Sequence, residues 1–400
     1  MKKSLLFVIP SLDAGGAEKS LLNWLSALDF EQYEVDLFLF KQGGIFQALL
    51  PKNVKLLDCG NLFTHFSKPL LTSILWFLSK GKFNIARARL KFAWIQKKEP
   101  NTAKAEQDAW ELFRKVLPKL DKQYDSAIAF LEKSSTYFIV DNTNSNNKIA
   151  WIHTDYSKSK QDPQFDLPYL KQLNSIVTIS PACRESLLQH FPSEAHKISV
   201  IENISSATLI EDLSLKIPQD LIALGGQNLI VTVGRLSEEK GMDIAIETAR
   251  ILKQREILFM WIIIGEGPER SKLEQQIRLN KLQSTVHMLG LQSNPYPYML
   301  AATIYVQTSR HEGKSIAIDE AMILKKPIVV SNFTTAKDQI QDGETGVIAE
   351  IDPESLAQKI GSLLENPSLQ ETLKCNLSKI DHQNEKSIKK FYNLISARNE

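Results

Sequence analysis

The sequence predicts an α/β protein built from two doubly wound domains that face each other across a central cleft. Short continuous apolar runs alternate with amphipathic helical stretches, a pattern typical of strands buried on both faces of a parallel sheet. The alternation stops over residues 202–227 and then begins again. A chain of 400 residues also exceeds one ordinary core, because single cores stop growing near ~250–300 residues. We therefore expect one sheet in each half of the chain.

The first half begins with an apolar run that leads into an amphipathic helix over Ala17–Leu28. Ser180 and Pro181 mark a later helix start, because Ser is a good N-cap and Pro suits the first helical turn. The predicted strands of this half are Leu5–Ile9, Val35–Phe40, Val54–Leu57, Ser126–Phe130, Lys148–Trp151, Ser175–Ile179 and Ile198–Ile201.

The second half repeats the alternation after a polar stretch with Pro218 and two glycines, which is the best linker candidate. We place one domain at 1–205, a second at 206–380, and a helical tail at 381–400 that returns to the first domain. The predicted strands are Leu229–Val233, Phe259–Ile264, Thr285–Leu289, Thr303–Gln307 and Pro327–Val330, and the predicted helices are Asp243–Leu252, Glu269–Leu279 and Ile316–Leu324.

Composition excludes several classes of protein. A formal net charge of +2 gives no overall basic field for nucleic acid, and three distant cysteines provide neither a disulfide scaffold nor a zinc ribbon. The longest apolar run, Leu70–Leu78, is far shorter than the roughly 18–20 residues that cross a bilayer. The apolar start at Leu5–Pro10 is too short for a signal peptide. We expect a cytoplasmic protein.

One segment, residues 61–98, does not fit the alternation, since it carries eight Lys or Arg residues and no Asp or Glu. Aromatic and aliphatic residues interleave with these cations, which suits helices lying on an anionic membrane surface. The alternative is an inserted helical pair whose apolar face packs on the sheet and whose basic face is simply solvated. The sequence leaves both interpretations open.

Two glycines, Gly15 and Gly16, lie between the first strand and the first helix. Glycine lets a ligand approach the backbone, and the N-terminus of the following helix offers free N–H groups to an anion. The spacing is not that of a dinucleotide fingerprint. An ordinary βα turn remains the alternative for this loop.

Strand-end loops of the second half carry the residue types that hold a diphosphate. Arg235 and Lys240 follow the first strand of this half, at the edge where ligands of open α/β sheets bind. Both side chains suit a diphosphate. The planar guanidinium of Arg235 can bind two phosphate oxygens, and the ammonium of Lys240 acts as a point charge. Glu266 and Gly267 end the next strand, where small residues would admit a base or ribose close to the backbone.

The strongest motif has two acids, Glu312 and Glu320, separated by seven residues around a helix start. If Ser315 caps that helix, both carboxylates face a ligand held at its N-terminus. A carboxylate accepts hydrogen bonds from ribose hydroxyls and repels phosphate, so the second acid fits ribose. The other candidate residues of this loop are Gly313, Lys314 and Ile316.

One histidine, His153, follows a strand of the first half and would face the loops of the second. A lone histidine after a strand is more often structural than catalytic. Its expected position in the cleft makes a catalytic role about equally plausible, and both interpretations stay open.

These motifs together resemble the retaining family 4 glycosyltransferases, also called glycosyl transferases group 1. The resemblance is carried by Gly15–Glu18 (G-G-A-E), Gly234–Gly241 (G-R-L-S-x-x-K-G), Gly265–Glu269 (G-x-G-P-x), Glu312–Glu320 (E-x7-E) and Lys326–Val330. It implies the GT-B fold of two Rossmann-like domains, with the nucleotide-sugar donor on the carboxyl-terminal domain and the acceptor on the other.

The resemblance also implies residue roles. It gives the donor diphosphate to Arg235 and Lys240 and the ribose to Glu320, and it places Glu312 beside the donor sugar as a catalytic residue. It implies that His153 lines the sugar pocket from the amino-terminal domain.

The function implied is transfer of a sugar from a UDP-hexose or UDP-N-acetylhexosamine to a glycan or lipid-linked acceptor, in capsule, lipopolysaccharide or other surface polysaccharide biosynthesis. No cofactor is expected, and because no D-x-D sequence occurs we expect metal independence. A peripheral position on the inner face of the cell membrane follows if 61–98 binds lipid. The alternatives are a non-catalytic subunit that stabilises an active partner, and a GT-B nucleotide-sugar epimerase.

Overall fold

The chain forms two compact units, one made of residues 1–204 with 385–400 and the other of residues 205–384. This architecture comes from a computed structural model that describes residues 2–13, 15–216, 218, 228–312, 314–380 and 384–396. Parts of the predicted linker (residues 217 and 219–227) and of the predicted tail (residues 381–383 and 397–400) therefore lie outside the described residues.

The first unit is built on a seven-stranded parallel sheet. The strands of this unit are β1 (Lys3–Ile9), β2 (Tyr33–Leu39), β3 (Val54–Leu57), β4 (Leu120–Tyr124), β5 (Ser126–Ala129), β6 (Thr143–Ser145), β7 (Lys148–Ile152), β8 (Ser175–Thr178) and β9 (Ile198–Val200). The sheet order is β3-β2-β1-β5-β7-β8-β9, and β4 pairs with β6 in a separate small sheet.

Alternate side chains of β1 explain its continuous apolar character. Leu5, Phe7 and Ile9 belong to one buried cluster, whereas Leu6 and Val8 belong to another. Both faces of the sheet are therefore covered, as expected for a parallel sheet. The helices of this part of the chain are α1 (Gly16–Ser26), α2 (Asn61–Phe66), α3 (Leu70–Ser79), α4 (Phe83–Lys98), α5 (Thr102–Phe113), α6 (Ser134–Asp141), α7 (Pro163–Leu170) and α8 (Pro181–His190).

The second unit is built on a six-stranded parallel sheet in the order β12-β11-β10-β13-β14-β15. Its strands are β10 (Asn228–Val233), β11 (Phe259–Ile264), β12 (Val286–Gly290), β13 (Ile304–Gln307), β14 (Ile328–Ser331) and β15 (Val347–Ala349). Its helices are α9 (Ala207–Ser214), α10 (Met242–Gln254), α11 (Arg270–Leu279), α12 (Tyr296–Ala301), α13 (Ile316–Ile323), α14 (Ala336–Gln339), α15 (Pro353–Leu364) and α16 (Pro367–Leu377).

Both sheets have the strand order of a doubly wound Rossmann-like fold, and this order fixes where ligands bind. The order reverses between β1 and β5 in the first sheet and between β10 and β13 in the second. A crevice forms at the carboxyl ends of the strands on either side of such a switch point. The predicted two-sheet α/β class is confirmed, with each switch point flanked by loops that carry predicted site residues.

The predicted linker at 202–227 is wrong in part, because α9 forms inside it. Ser206 caps α9 by accepting a hydrogen bond from the backbone N–H of Leu209, and Ile210 and Leu213 are buried. The helix packs against α12 and α13. The helix has only eight residues, three of them buried, and it lies in a stretch with many polar residues. The sequence pattern therefore did not reveal it.

A last helix, α17 (Glu385–Ser396), packs on the first unit. Phe391 is buried beside Trp24 and Trp151, with ring centroids 4.9 Å and 5.8 Å away. The side chain of Asn147 donates to the carbonyl of Leu394 at 3.0 Å. The helix therefore completes the core of the first unit. Among the described residues, no helix is both long enough and apolar enough to span a bilayer.

Candidate functional site

The switch point of the second sheet brings the loop after β10 and the loop after β13 together. Lys240 lies on the first loop and Glu312 on the second, and Lys240 Nζ donates to both carboxylate oxygens at 2.7 and 2.6 Å. The Glu312 side chain is 6% exposed and the Lys240 side chain 24% exposed. Two predicted site residues thus form a nearly buried ion pair.

The Glu312 carboxylate has further donors. Gln307 Nε2 and Ser309 Oγ donate to its Oε1 at 3.0 and 2.7 Å. A buried charge is stable only when it is paired and hydrogen-bonded, and these contacts supply both conditions. The same contacts spread the negative charge over several donors, so the carboxylate is a weak nucleophile in this arrangement.

Arg235, on the loop with Lys240, is exposed and forms no ion pair with any residue that the structure describes. The Glu239 backbone N–H and Ser237 lower the pKa of the Glu239 carboxyl, and the charge of Arg235 adds a smaller effect in the same direction. The guanidinium is therefore available to a ligand at the carboxyl end of β10. The predicted diphosphate clamp thus has one free cation and one that is already paired.

A second arginine, Arg310, holds the two loops together and was missed from the sequence. Its guanidinium donates to both carboxylate oxygens of Asp243 at 2.7 and 2.6 Å, and its backbone N–H donates to the carbonyl of Glu239 at 2.8 Å. The hydrogen bond and charge of Arg310 lower the pKa of Asp243. No spacing signal marks this pair, since its members are 67 residues apart.

The two glycines after β11 allow another backbone segment to approach closely, at the place where the sequence predicts a bound base or ribose. A Cβ added at Gly265 would collide with the carbonyl of Gly234, and one at Gly267 with the backbone of Leu236. The two loops bond directly, as Leu236 N donates to the Glu266 carbonyl at 3.0 Å. The Glu266 side chain forms an exposed ion pair with Arg270. In this structure the close approach is therefore made by protein.

The start of α13 is partly occupied by another side chain. The backbone N–H of Ser315 donates to Gln339 Oε1 at 2.8 Å, while Gln339 Nε2 donates to the carbonyl of Ser315 at 3.0 Å. The side chain of Ser315 makes no capping hydrogen bond. Lys314, a predicted site residue, forms an ion pair with Asp319, with 3.7 Å between Nζ and Oδ2. The first helical N–H groups, beginning at Ile316, have no partner within a helix and remain suited to an anion.

Gly313, also predicted as a site residue, lies outside the described residues. Glu320, by contrast, is placed with no exposed surface. Tyr296 Oη donates to Glu320 Oε1 at 2.9 Å. Burial, with the Glu320 charge as a further cause, raises the pKa of Tyr296 well above its ordinary value. A ribose hydroxyl that binds Glu320 Oε1 would therefore compete with the tyrosine hydroxyl.

At the first switch point, the predicted anion site is filled by a carboxylate. Glu18 lies in the first turn of α1, and a Cβ added at Gly15 would collide with its side chain. Gly16 has open space around it. Burial, with the nearby charges of Asp13 and Glu132, raises the pKa of Glu18. An acidic crevice of this kind favours hydroxyl groups over phosphate.

The carboxyl end of β7 places His153 against this acidic crevice. Its backbone N–H donates to Glu132 Oε2 at 3.1 Å, and its ring lies 4.8 Å from that of Phe130. Burial lowers the pKa of His153 to about 3. Nε2 is buried and has no partner among the described residues. An unpaired buried polar atom costs roughly 1–3 kcal/mol, so a ligand hydroxyl at this atom would be favourable.

The residue after Glu132 has an unusual backbone. Lys133 adopts φ 63° and ψ −125° at the turn between β5 and α6. This is the region that favours glycine, and a non-glycine residue held there stores roughly 1–3 kcal/mol. Lys133 Nζ lies 3.1 Å from Glu106 Oε2. The strained turn thus carries a cation, Lys133, beyond the carboxyl end of β5. The sequence did not predict this residue as part of a site.

An apolar pocket of about 190 Å³ adjoins this edge. Pro10 and Phe40 lie just beyond the ends of β1 and β2, and they line the pocket with Phe92 and Phe113. Gln96, Glu106 and Ser134 supply its polar groups. A pocket of this kind suits a ligand that has both an apolar part and hydroxyl groups.

Solved structures share the fold of two Rossmann-like units over nearly the whole chain. A crystal structure of the Anabaena protein Alr3699/HepE in complex with UDP-glucose matches with a TM-score of 0.65 at 19% identity, covering 98% of this chain and 99% of that one. Residues 215–379 match the family Glycosyl transferases group 1. The match covers less than half of the chain and lies within its carboxyl-terminal unit.

Curated proteins with similar sequences carry the names of glycosyltransferases. Alpha-D-kanosaminyltransferase of Streptomyces kanamyceticus is 31% identical over 153 residues, which are 38% of this chain and 40% of the relative. The N-acetylgalactosamine-N,N'-diacetylbacillosaminyl-diphospho-undecaprenol 4-alpha-N-acetylgalactosaminyltransferase of Campylobacter jejuni is 30% identical over 192 residues, or 48% of this chain and 50% of the relative. The chain thus spans about half the length of these relatives or less.

Because only one of the two cations on the β10 loop is in the buried ion pair, their removal should change the free energy of unfolding by different amounts. Lys240→Met should destabilise the second unit by about 3 kcal/mol, because it leaves Glu312 buried without a counter-charge. Arg235→Met should change its stability by less than about 0.5 kcal/mol, since the side chain is exposed and forms no ion pair with a described residue. Urea unfolding followed by Trp261, the only tryptophan between 205 and 384, measures both.

A double variant serves as the control. Glu312→Gln in the Lys240→Met background removes the unpaired charge and should recover part of the lost stability. Equal effects of Lys240→Met and Arg235→Met would contradict the assignment of the buried pair.

The low pKa of His153 predicts a pH effect. Below pH 6.5, the ordinary pKa of histidine, His153 is protonated in the unfolded chain but stays neutral in the folded protein. This residue therefore makes the free energy of unfolding fall as pH falls from 6.5 towards 3. Between pH 6.5 and 5 the wild type should lose about 1.5 kcal/mol more than His153→Phe. Urea unfolding by tryptophan fluorescence reports the first unit, which holds five of the six tryptophans. Parallel pH profiles would show that the ring protonates freely.

Proposed function

We propose that this chain is a retaining glycosyltransferase that moves a sugar from a UDP-sugar to a lipid-linked or glycan acceptor in surface polysaccharide synthesis. The observation that carries this proposal is the cationic loop at the second switch point, where Arg235 is exposed without an ion-pair partner among the described residues and Lys240 is held by Glu312. The match of residues 215–379 to the family Glycosyl transferases group 1 supports it. So does the UDP-glucose bound by the Anabaena structure.

The donor diphosphate is assigned to the second unit. Breaking the bond between the anomeric carbon and the diphosphate places negative charge on the departing phosphate. The Arg235 guanidinium, the Lys240 ammonium and the first N–H groups of α13 would stabilise this charge, and one such preorganised donor contributes a few kcal/mol, about 3 in a measured case. The ribose is assigned to Glu320, with the ribose hydroxyl replacing Tyr296 as its donor.

Glu312 acts in this proposal as a positioning residue. Its three neighbouring donors hold it in place and oppose its use as a nucleophile. We therefore favour attack on the same face from which the diphosphate leaves. The acceptor oxygen bonds to the anomeric carbon, the carbon–diphosphate bond breaks, and the acceptor proton passes to a departing phosphate oxygen.

The acceptor is assigned to the first unit. Its acidic crevice suits sugar hydroxyls, and the unpaired Nε2 of His153 offers one more polar contact. The neighbouring aromatic pocket supports an acceptor with an apolar part. The Campylobacter relative acts on a sugar linked to diphospho-undecaprenol, which is such a molecule.

The first test changes the exposed arginine. Arg235→Ala should lower transfer from UDP-sugars at least about tenfold, because a preorganised donor to the leaving group is lost. UDP-glucose and UDP-N-acetylglucosamine should raise the melting temperature of the wild type by mass action, and less so that of the variant. Sugar transfer to a polyprenyl-diphosphate-linked acceptor and thermal melting measure the two effects.

Arg278→Ala is the matched control, since Arg278 is exposed in the last turn of α11, at the end of the helix remote from the β11–α11 loop. Donor-induced stabilisation without any transfer would indicate the non-catalytic subunit. Conversion of the UDP-sugar without acceptor would indicate the epimerase.

Metal independence is a separate prediction. Two cationic side chains take the place that a divalent metal occupies in D-x-D enzymes, so turnover in excess EDTA should stay near the untreated value. The control adds Mg²⁺ or Mn²⁺ back after chelation. A loss of activity that either ion restores would overturn the clamp described above.

A further inference from the structure

The helical hairpin of α3 and α4 has an exposed surface that the folded unit leaves uncovered. Its inner face is buried, with Phe77 and Ala86 in the core cluster. The outer face also carries large apolar side chains, which are Leu71, Leu75, Leu78, Phe83, Leu90 and Trp94. Among the described residues, these six are all of the exposed large apolar side chains of the first unit.

These side chains form two stripes. Leu71, Leu75 and Leu78 are spaced by four and three residues along α3, so they lie on one helical face. Phe83, Leu90 and Trp94 follow the same rule along α4. Leu71 and Trp94 are 75% and 57% exposed. Two neighbouring helices thus present apolar stripes to solvent, which isolated exposed residues would not do.

Cations accompany the stripes. Lys80 and Lys82 lie in the turn between the helices, and Arg87, Lys91 and Lys97 are exposed on α4. None of them forms an ion pair with a residue that the structure describes. With no acid in 61–98, the surface carries unbalanced positive charge beside exposed apolar groups.

One cation of the segment has a structural role instead. Arg89 donates through Nε to the carbonyl of Phe66 at 2.8 Å, and its guanidinium lies 5.6 Å from the centroid of the Phe92 ring. Burial lowers its pKa. It therefore belongs to the fold of the hairpin and not to its outer surface.

A groove of about 240 Å³ lies beside the stripe of α4. Arg87, Lys91 and Lys115 line it together with Ile85 and Leu112. Cations next to aliphatic side chains fit a phosphate group that is attached to a hydrocarbon chain.

We propose that the α3–α4 hairpin, residues 70–98, docks this protein on an anionic phospholipid bilayer, with the apolar stripes entering the interface and the cations contacting lipid phosphates. A membrane accounts for both features at once, since each basic residue near an anionic surface adds attraction and each buried apolar side chain adds insertion. A second copy does not fit this surface, because a two-fold contact would place like charges against each other.

The simple alternative of a solvated basic face is disfavoured by the apolar stripes. That alternative requires an outer face that is polar, whereas Leu71, Leu75 and Trp94 are 75%, 66% and 57% exposed on it. The docking proposal is independent of the chemistry that the two units perform.

The test is flotation of the full chain with phosphatidylcholine vesicles that contain or lack phosphatidylglycerol. We expect binding to the anionic vesicles only, weakened by salt. Lys80→Glu/Lys82→Glu/Arg87→Glu/Lys91→Glu should reduce this binding roughly tenfold or more. Lys119→Glu/Lys171→Glu/Lys359→Glu/Lys389→Glu makes the same charge change at exposed lysines outside the hairpin and should bind better than the hairpin variant.

A second variant tests insertion. Leu71→Ser/Leu75→Ser/Leu78→Ser should weaken binding while keeping its salt dependence, and a blue shift of fluorescence on vesicle addition should be absent in Trp94→Phe. Far-UV circular dichroism and melting temperatures equal to those of the wild type show that the variants are folded, and neither measurement depends on the transferase proposal. Absence of vesicle binding by the wild type, or equal binding by the two charge variants, overturns the proposal and leaves a protein partner as the occupant.

Discussion

The second unit depends on the buried contact between Lys240 and Glu312. It joins the two loops that flank the switch point, and it satisfies a carboxylate that burial alone would make very costly. Arg310 and Asp243 tie the same loops a second time, nearer to solvent. Because a diphosphate would compete with Glu312 for Lys240, ligand binding and loop stability are coupled in one side chain.

The two switch points differ in charge, and this difference favours different classes of ligand at the two units. The second offers Arg235, Lys240 and a helix N-terminus, all of which favour an anion. The first is surrounded by Asp13, Glu18 and Glu132, where burial and mutual repulsion raise the pKa of Glu18. An anionic ligand thus fits one crevice, and a ligand rich in hydroxyl groups fits the other.

The sequence predicted the sheets well because their signal is local. Runs such as Phe259–Ile264 are apolar without interruption, and the structure has a strand with these bounds. The Ser180 cap was also predictable, and its side chain accepts from the backbone N–H of Cys183. Motifs with fixed spacing likewise located the loops of the second unit.

What the sequence could not give is the choice of partner for each side chain. Glu18 fills the helix start that Gly15 seemed to leave open, and Gln339 reaches Ser315 from 24 residues away. The glycine pair after β11 signals a close approach, but composition does not say whether ligand or backbone makes it. These choices depend on which loops the completed sheet brings together, and only tertiary structure determines that.

The return of the last helix to the first unit constrains the order in which this protein matures on the ribosome. Phe391 fills a site between Trp24 and Trp151 that no earlier residue occupies. The amino-terminal half must therefore wait, with an open apolar face, until the whole of the following domain has been synthesised. Translation through residues 205–384 is the interval in which that unfinished core is most exposed to aggregation and to chaperones.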